Sequence, residues 1–178
     1  MRKKSRQLAF CGVLCALAVV FLTLGSLVPM ATFCCPILAM FALLPVQEEF
    51  GSGSALAAYA SAAILSLLLV PDKEVALLFL FLGYYPILRL YLNRVPSRAL
   101  RLLCKLAVFN AAVLALYALL LYVFQLTAVV EDFSGLSRLM LATALFMGNL
   151  IFLLLDRVLG PLTVLYRRRL RAKLFPKF

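Results

Sequence analysis

Residues 8–28 read LAFCGVLCALAVVFLTLGSLV, an almost entirely apolar stretch that carries no charged side chain. A helix needs about 20 such residues to cross the hydrocarbon core of a bilayer. The stretch follows a basic start, RKKSR at residues 2–6, as the apolar core of a signal peptide does. Because the run is too long for such a core and no clear cleavage site follows it, we predict a retained first span.

The whole chain is too apolar for a soluble protein. It has 178 residues, of which 66% are hydrophobic and 14% are charged. Soluble domains are about half apolar and a quarter charged. Since one soluble core of this size cannot hide the surplus, lipid must cover it. We therefore predict an all-α, polytopic membrane helix bundle that forms a single transmembrane domain over residues 1–178.

Six segments are candidate spans, separated by polar loops or by glycine and proline breakers. The second and third either cross separately or form a re-entrant hairpin, because the second is short and the loop at 47–53 contains no Lys or Arg. The predicted spans are 8–28, 32–46, 54–70, 74–92, 102–127 and 138 to about 155, the last continuing until Gly160 and Pro161.

The basic side chains set the predicted orientation. With the N-terminus inside, 16 of the 18 Lys and Arg fall on the cytoplasmic side, and only Lys73 and Arg138 face outward. This bias is typical of inner loops, so both termini are predicted to be cytoplasmic and the protein to lie in a bacterial cytoplasmic membrane. The basic tail, residues 166–178, is predicted to lie on the membrane surface as an amphipathic helix. Basic clusters beside apolar runs favour lipid headgroups as partners over nucleic acid.

Residues suited to catalysis are few. The chain has no histidine, which removes the usual general base and the commonest metal ligand. Its five cysteines contain no CxxC pair, and Glu48 and Glu49 are placed in a solvated loop without a companion base. We predict no catalytic residue, no metal, no cofactor and no enzymatic activity, with a lipid-modifying enzyme as a third alternative.

Polar groups inside the spans need partners, which are either other helices or a ligand. In the fourth span, Gly83 and Pro86 flank two tyrosines and predict a kink with two phenols beside it. Asn110 and Asn149 lie well inside the fifth and sixth spans. We predict a pocket between spans four, five and six, open to the outside. Its predicted ligand-binding residues are Tyr84, Tyr85, Asn110, Tyr117 and Asn149.

The first span carries small residues at helical spacing. This small-xxx-small pattern allows another helix to approach closely. The partner is either another protein or one of the chain's own spans. The predicted docking residues are Cys11, Gly12, Cys15 and Ala16.

In its length, span number, cytoplasmic ends, basic start and CGVLCA sequence at 11–16, the chain resembles the S components of energy-coupling factor (ECF) importers. In that family, span one packs against a shared membrane coupling subunit, and ATPases on the inner face drive toppling. The vitamin or similar ligand lies near the outer face, under the loop that corresponds to residues 24–36 here. The resemblance covers the full length and implies a substrate-binding subunit of an ATP-driven importer. No Walker motif appears, so the ATPases are expected to be separate proteins.

Two further resemblances leave the function open. LLVPDKEVALLFLFLGYYPILR at residues 68–89 is similar to a phrase in uncharacterised six-span membrane proteins of Gram-positive bacteria. In size and span count the chain is also similar to the membrane protein of the rod-shape complex (MreD). That second likeness implies a structural scaffold of the cell envelope without a ligand, which we keep as the alternative to an importer subunit.

Overall fold

The computed structural model describes residues 2–28, 31–122 and 138–171, and these residues are mostly helical, with no strand among them. The predicted all-α fold is therefore confirmed. The helices are α1 (Arg2–Leu27), α2 (Cys34–Leu69), α3 (Lys73–Leu82), α4 (Tyr85–Leu92), α5 (Arg98–Tyr122) and α6 (Arg138–Leu165), and the π-helical turn Tyr166–Leu170 continues α6.

Within the described residues, 5 helical segments are long and apolar enough to cross a membrane. They are α1, α2, α3 together with α4, most of α5, and α6 with its π-helical turn. Large apolar side chains stay exposed along them, such as Leu68 at 73%, Leu114 at 71% and Phe146 at 69%. Large patches of this kind are rare on soluble monomers, so the structure agrees with the predicted membrane location.

The chain divides into two compact units, Met1–Lys105 and Leu106–Phe178. The first unit contains α1 to α4 and the beginning of α5. The second unit contains the rest of α5, α6 and the π-helical turn. The single transmembrane domain expected from the sequence stays a prediction.

Gly51 breaks α2 into a first arm, residues 34–50, and a second arm, residues 52–69. Its backbone has φ 81° and ψ 176°, a conformation that is essentially restricted to glycine. The predicted loop over 47–53 is therefore wrong, because the helix runs through residue 50 and resumes at residue 52. One glycine supplies the turn for which the sequence predicts a loop of seven residues.

Contacts with α1 show that the first arm runs antiparallel to it. Near the beginning of α1, the ring of Phe10 meets that of Phe50 edge-on, with centroids 5.8 Å apart. Near the end of α1, Gly25 lies against Cys35. The start of α1 thus meets the end of the first arm, and the end of α1 meets its start.

The second arm runs in the same direction as α1. The Gln7 amide donates to the Ser54 hydroxyl over 2.8 Å. Further along both helices, the Cys15 thiol donates to the Ala58 carbonyl over 3.2 Å. Since the two arms lie in opposite directions against α1, the chain reverses at Gly51.

At the turn between the second arm and α3, side chains cap both helix ends. The Asp72 carboxylate accepts from the Glu74 N–H over 2.9 Å and caps the start of α3. The Lys73 ammonium donates to the carbonyls of Leu67 and Val70 over 3.0 and 2.9 Å. A cation at a helix C-terminus is favourable. Lys73, which the sequence predicts to face outward, therefore stabilises the C-terminal end of the second arm.

α6 passes through Gly160 and Pro161, where the sequence predicted that the last span ends. The proline removes one N–H donor from the helix, but the helix continues on both sides of it. The Thr163 hydroxyl donates to the Leu159 carbonyl over 2.8 Å in this region. Of the predicted surface helix, residues 166–171 continue α6, and residues 172–178 lie outside the described residues.

We expect Gly25→Ala to destabilise the first unit. A Cβ at this position would lie 2.7 Å from the Cys35 Cβ and 3.3 Å from the Val75 Cγ1. The helices must shift to make room, at a cost of about 1–3 kcal/mol. Gly12→Ala is the matched control, because no atom lies within 4 Å of its added Cβ. Titration with SDS measures both unfolding free energies, and equal losses would contradict the close approach at Gly25.

Candidate functional site

Polar side chains of the first unit converge on the break between α3 and α4. α3 ends at Leu82 and α4 begins at Tyr85, which confirms the kink predicted from the Gly-Tyr-Tyr-Pro sequence. The Gly83 N–H donates to the Phe79 carbonyl over 2.7 Å. A Cβ on Gly83 would lie 2.9 Å from the nearest atom of the Phe79 ring. The absence of a side chain at residue 83 therefore lets this ring pack against the break.

Each arm of α2 sends one polar side chain to this break. From the second arm, the Tyr59 hydroxyl donates to the Leu80 carbonyl. From the first arm, the Gln47 amide donates to the Pro86 carbonyl over 3.3 Å. Gln47 is buried, with 9% of its surface exposed. The two arms thus hold the backbone on both sides of the break, where bonding within the helix is interrupted.

Aromatic rings cluster beside these hydrogen bonds. The Tyr59 ring lies 5.7 Å from the Phe79 ring and 6.1 Å from the Tyr84 ring, measured between centroids. Tyr85, the other predicted tyrosine, is only 2% exposed. The two tyrosines at the kink therefore differ, since Tyr84 joins a half-buried aromatic cluster and Tyr85 lies in the core.

A narrow cleft lies among the two arms and the break. Its walls combine apolar side chains of both arms with Gln47, Tyr59, Gly83 and Pro86, and no charged side chain lines it. The free volume is about 10 Å³, which is room for about one water molecule. Pockets for drug-sized ligands hold about 300 Å³ or more. In this conformation the cleft is closed to such a ligand.

In the second unit, Asn110 and Asn149 bond to each other. The Asn110 Nδ2 donates to the Asn149 Oδ1 over 2.9 Å, and the Asn149 Nδ2 donates back to the Asn110 Oδ1 over 3.2 Å. Each Nδ2 also donates to the carbonyl four residues earlier, of Leu106 and Leu145 respectively, over 2.8 Å. Both donors of each amide are therefore in use, and the pair links α5 to α6.

An aromatic stack supports the amide pair. The rings of Phe109 and Phe152 lie 4.6 Å apart between centroids, with an interplanar angle of 21°. Both rings are buried, at 8% and 3% exposure. A Cβ on Gly148 would lie 3.6 Å from the Phe109 ring, so the glycine also lies at this helix contact. A polar pair and an aromatic pair thus both connect α5 to α6 within the second unit.

The structure joins two of the five predicted ligand-binding residues, namely Asn110 and Asn149. Tyr84 and Tyr85 belong to the first unit. Tyr117 lies on α5, and its side chain is outside the described residues. The pocket that would collect all five stays a prediction.

Sequence reasoning missed Tyr59 and Gln47. The sequence predicts a loop at Gln47, and Tyr59 lies in a predicted span that is rich in alanine and carries no predicted site. The signal that could have identified Tyr59 is the one applied to the asparagines, a hydrogen-bonding group well inside an apolar segment. Gln47 could be identified as a candidate site residue only after its position was known to be helical and buried.

The predicted docking residues lie on two faces of α1. Cys15 is 7% exposed and bonds to the second arm, whereas Cys11 is half-buried. Gly12 and Ala16 are exposed, and the space beside Gly12 is open. One half of the small-residue pattern therefore packs inside the unit, and the other half is left on its surface.

Comparison with known proteins gives no family for this chain. No family model, curated protein or solved structure matches it. Among the described residues, no three His, Cys, Asp or Glu side chains form a group that could hold a metal ion. The function must therefore be argued from the helix contacts, the cleft and the exposed surfaces.

We expect Asn110→Leu and Asn149→Leu each to lower the unfolding free energy by about 1 kcal/mol, because each leaves the other amide without its partner. The double variant should lose less than the sum of the two losses, since neither amide remains unpaired. A double-mutant cycle from SDS titrations measures this coupling. Additive losses would show that the two amides do not stabilise the unit as a pair.

We expect Tyr59→Phe to destabilise the first unit by about 1–2 kcal/mol, because the Leu80 carbonyl loses its hydroxyl donor in apolar surroundings. Tyr91→Phe is the matched control, since that ring is 51% exposed. Thermal unfolding followed by circular dichroism compares the two variants. The assignment of Tyr59 to the break fails if both variants melt at the temperature of the unsubstituted protein.

Proposed function

We propose that this chain is the membrane-embedded, substrate-binding subunit of an ATP-driven small-molecule importer, docked through α1 to a separate coupling subunit. The observation that carries the proposal is the exposed pair Gly12 and Ala16, one turn apart on α1. Small residues allow the backbone of a second helix to come close. The buried face of α1, with Cys15, Ala18 and Leu22, is already occupied by the chain's own core.

The proposed topology has six crossings with both ends in the cytoplasm. The two arms of α2 run in opposite directions and are each about 25–27 Å long at 1.5 Å per residue, close to the roughly 30 Å of a bilayer core. This length supports separate crossings. The distribution of Lys and Arg supports the orientation, and the outward Lys73 is bonded to the carbonyls at a helix end.

The proposed ligand region is the cleft beside the α3–α4 break. Apolar walls with a few polar groups are typical of small-molecule sites, and the absence of a charged lining residue favours a neutral ligand. The cleft must widen before a metabolite can enter. Gly51 and Gly83 lie at the two places where the surrounding helices are interrupted, and they supply hinges for that movement. Tyr84 reaches this region through its ring contact with Tyr59.

A structural scaffold of the cell envelope is the second candidate function. Two observations favour it over ligand capture. The cleft has room for about one water molecule, and the donors of Asn110 and Asn149 are all used within the second unit. A scaffold requires a stable bundle and an exposed docking face, and it requires no open pocket.

Co-purification from native membranes tests the importer proposal. We expect the tagged chain to bring down one membrane coupling subunit and its ATPases in fixed proportion. The double variant Gly12→Ile/Ala16→Ile should lose them, because branched side chains hold the partner helix away.

The matched control is Ala57→Ile/Ser61→Ile, which enlarges two exposed small residues at the same spacing on the second arm. This control should keep its partners. If the α1 variant keeps its partners and the second-arm variant loses them, the docking surface lies on α2 and not on α1.

Thermal-shift measurements with neutral metabolites then separate the two functions. A compound that raises the melting temperature supports capture, whereas no such compound and no co-purifying ATPase would support the scaffold.

A further inference from the structure

Exposed basic side chains are concentrated at the end of α6. Arg167, Arg168, Arg169 and Arg171 come directly after the apolar helix, and all four are exposed. Tyr166, at the start of the same turn, is only 3% exposed. We call residues 167–169 and 171 the arginine collar.

The collar covers about half of the helix circumference, which is wider than a single face. Successive residues of an α- or π-helix are rotated by about 80–100° about the axis. Three consecutive arginines therefore spread over roughly half of the circumference, and Arg171 returns close to the direction of Arg167. A protein partner contacts a helix from one side, whereas lipid headgroups surround it. The arrangement thus favours lipid as the partner of the collar.

The apolar surface next to the collar fixes its depth in a bilayer. Val158, Val164 and Leu165 are exposed at 50%, 47% and 48%, and acyl chains are the partners that suit them. At 1.5 Å per residue, the collar begins about 3 Å beyond Leu165 and ends about 9 Å beyond it. Arginine side chains are long and flexible, so their guanidinium groups can reach the polar interface while their stems cover apolar surface. We therefore expect the guanidinium groups to lie near the level of the lipid phosphates.

We propose that the arginine collar binds the phosphate groups of anionic phospholipids in the leaflet at the C-terminal end of α6. A guanidinium group presents a planar fork of donors that matches two phosphate oxygens. Four such groups within about 6 Å of helix rise favour lipids with a net negative charge over zwitterionic lipids. This lipid site is independent of the docking face on α1 and of the cleft.

Tryptophan fluorescence can measure this preference directly, because the chain contains no tryptophan. Leu165→Trp places a single reporter beside the collar. The full chain is reconstituted into mixed phosphatidylcholine and phosphatidylglycerol bilayers in which one lipid or the other is brominated and quenches the reporter. We expect phosphatidylglycerol to be preferred over phosphatidylcholine by about threefold to tenfold.

Charge variants on the Leu165→Trp background test the collar itself. Arg168→Gln/Arg169→Gln should bring the preference close to one, and Arg168→Lys/Arg169→Lys should keep part of it because the charge remains. Arg94→Gln/Arg98→Gln is the matched control, which removes the same charge around the α4–α5 connection. It should leave the preference at residue 165 unchanged. Salt at about 1 M should weaken the preference in every collar-containing protein.

The proposal is overturned if both brominated lipids quench the reporter equally in the protein with an intact collar. It is also overturned if the preference survives Arg168→Gln/Arg169→Gln, or if salt does not change it. Circular dichroism checks that each variant keeps its helices. Should the glutamine variant fail to fold, the lipid preference of the intact collar and its salt dependence still decide the question.

Discussion

Backbone carbonyls inside hydrocarbon must find donors within the chain, because no water reaches them. An unbroken helix satisfies this requirement, and at two interruptions among the described residues side chains donate to nearby carbonyls. Tyr59 and Gln47 donate on either side of the α3–α4 break, and Lys73 donates at the end of the second arm. At these two places, polar side chains of an otherwise apolar chain thus bond to the backbone beside an interrupted helix.

This use of polar groups bears directly on function. A phenol or an amide that donates to a carbonyl is engaged in the closed structure, so a ligand that takes its place must offer an acceptor to the side chain and a donor to the carbonyl. The α3–α4 break has such groups beside a cleft with glycines at its two helix interruptions. The asparagine pair of the second unit differs, because both amides are satisfied reciprocally and an aromatic stack lies next to them. The proposed ligand capture therefore fits the break better than the asparagines, whose bonds link two helices.

The surfaces of the two units offer different chemistry to their surroundings. On the first unit, α1 exposes Gly12 and Ala16, which suit the close approach of another helix. On the second unit, α6 ends in a collar of arginines, which suits the phosphates of a lipid leaflet. The proposed docking face would select its partner by shape, and the proposed lipid site would select its partner by charge.

Hydropathy and charge are properties of local sequence. They sufficed to predict an all-helical fold with segments long and apolar enough to cross a membrane, the approximate positions of most helices and the break at Gly83–Pro86. They predicted a loop at 47–53 and a helix end at Gly160–Pro161, both wrongly, because one glycine can reverse a chain and one proline can be accommodated within a helix. Only the tertiary structure showed that Tyr59 and Gln47 meet the break, that Asn110 faces Asn149, and that Cys15 turns inward while Gly12 faces outward. In a span that is apolar on every side, hydrophobic periodicity does not mark the buried face, so the pairing of helix faces is decided by packing between segments distant in sequence.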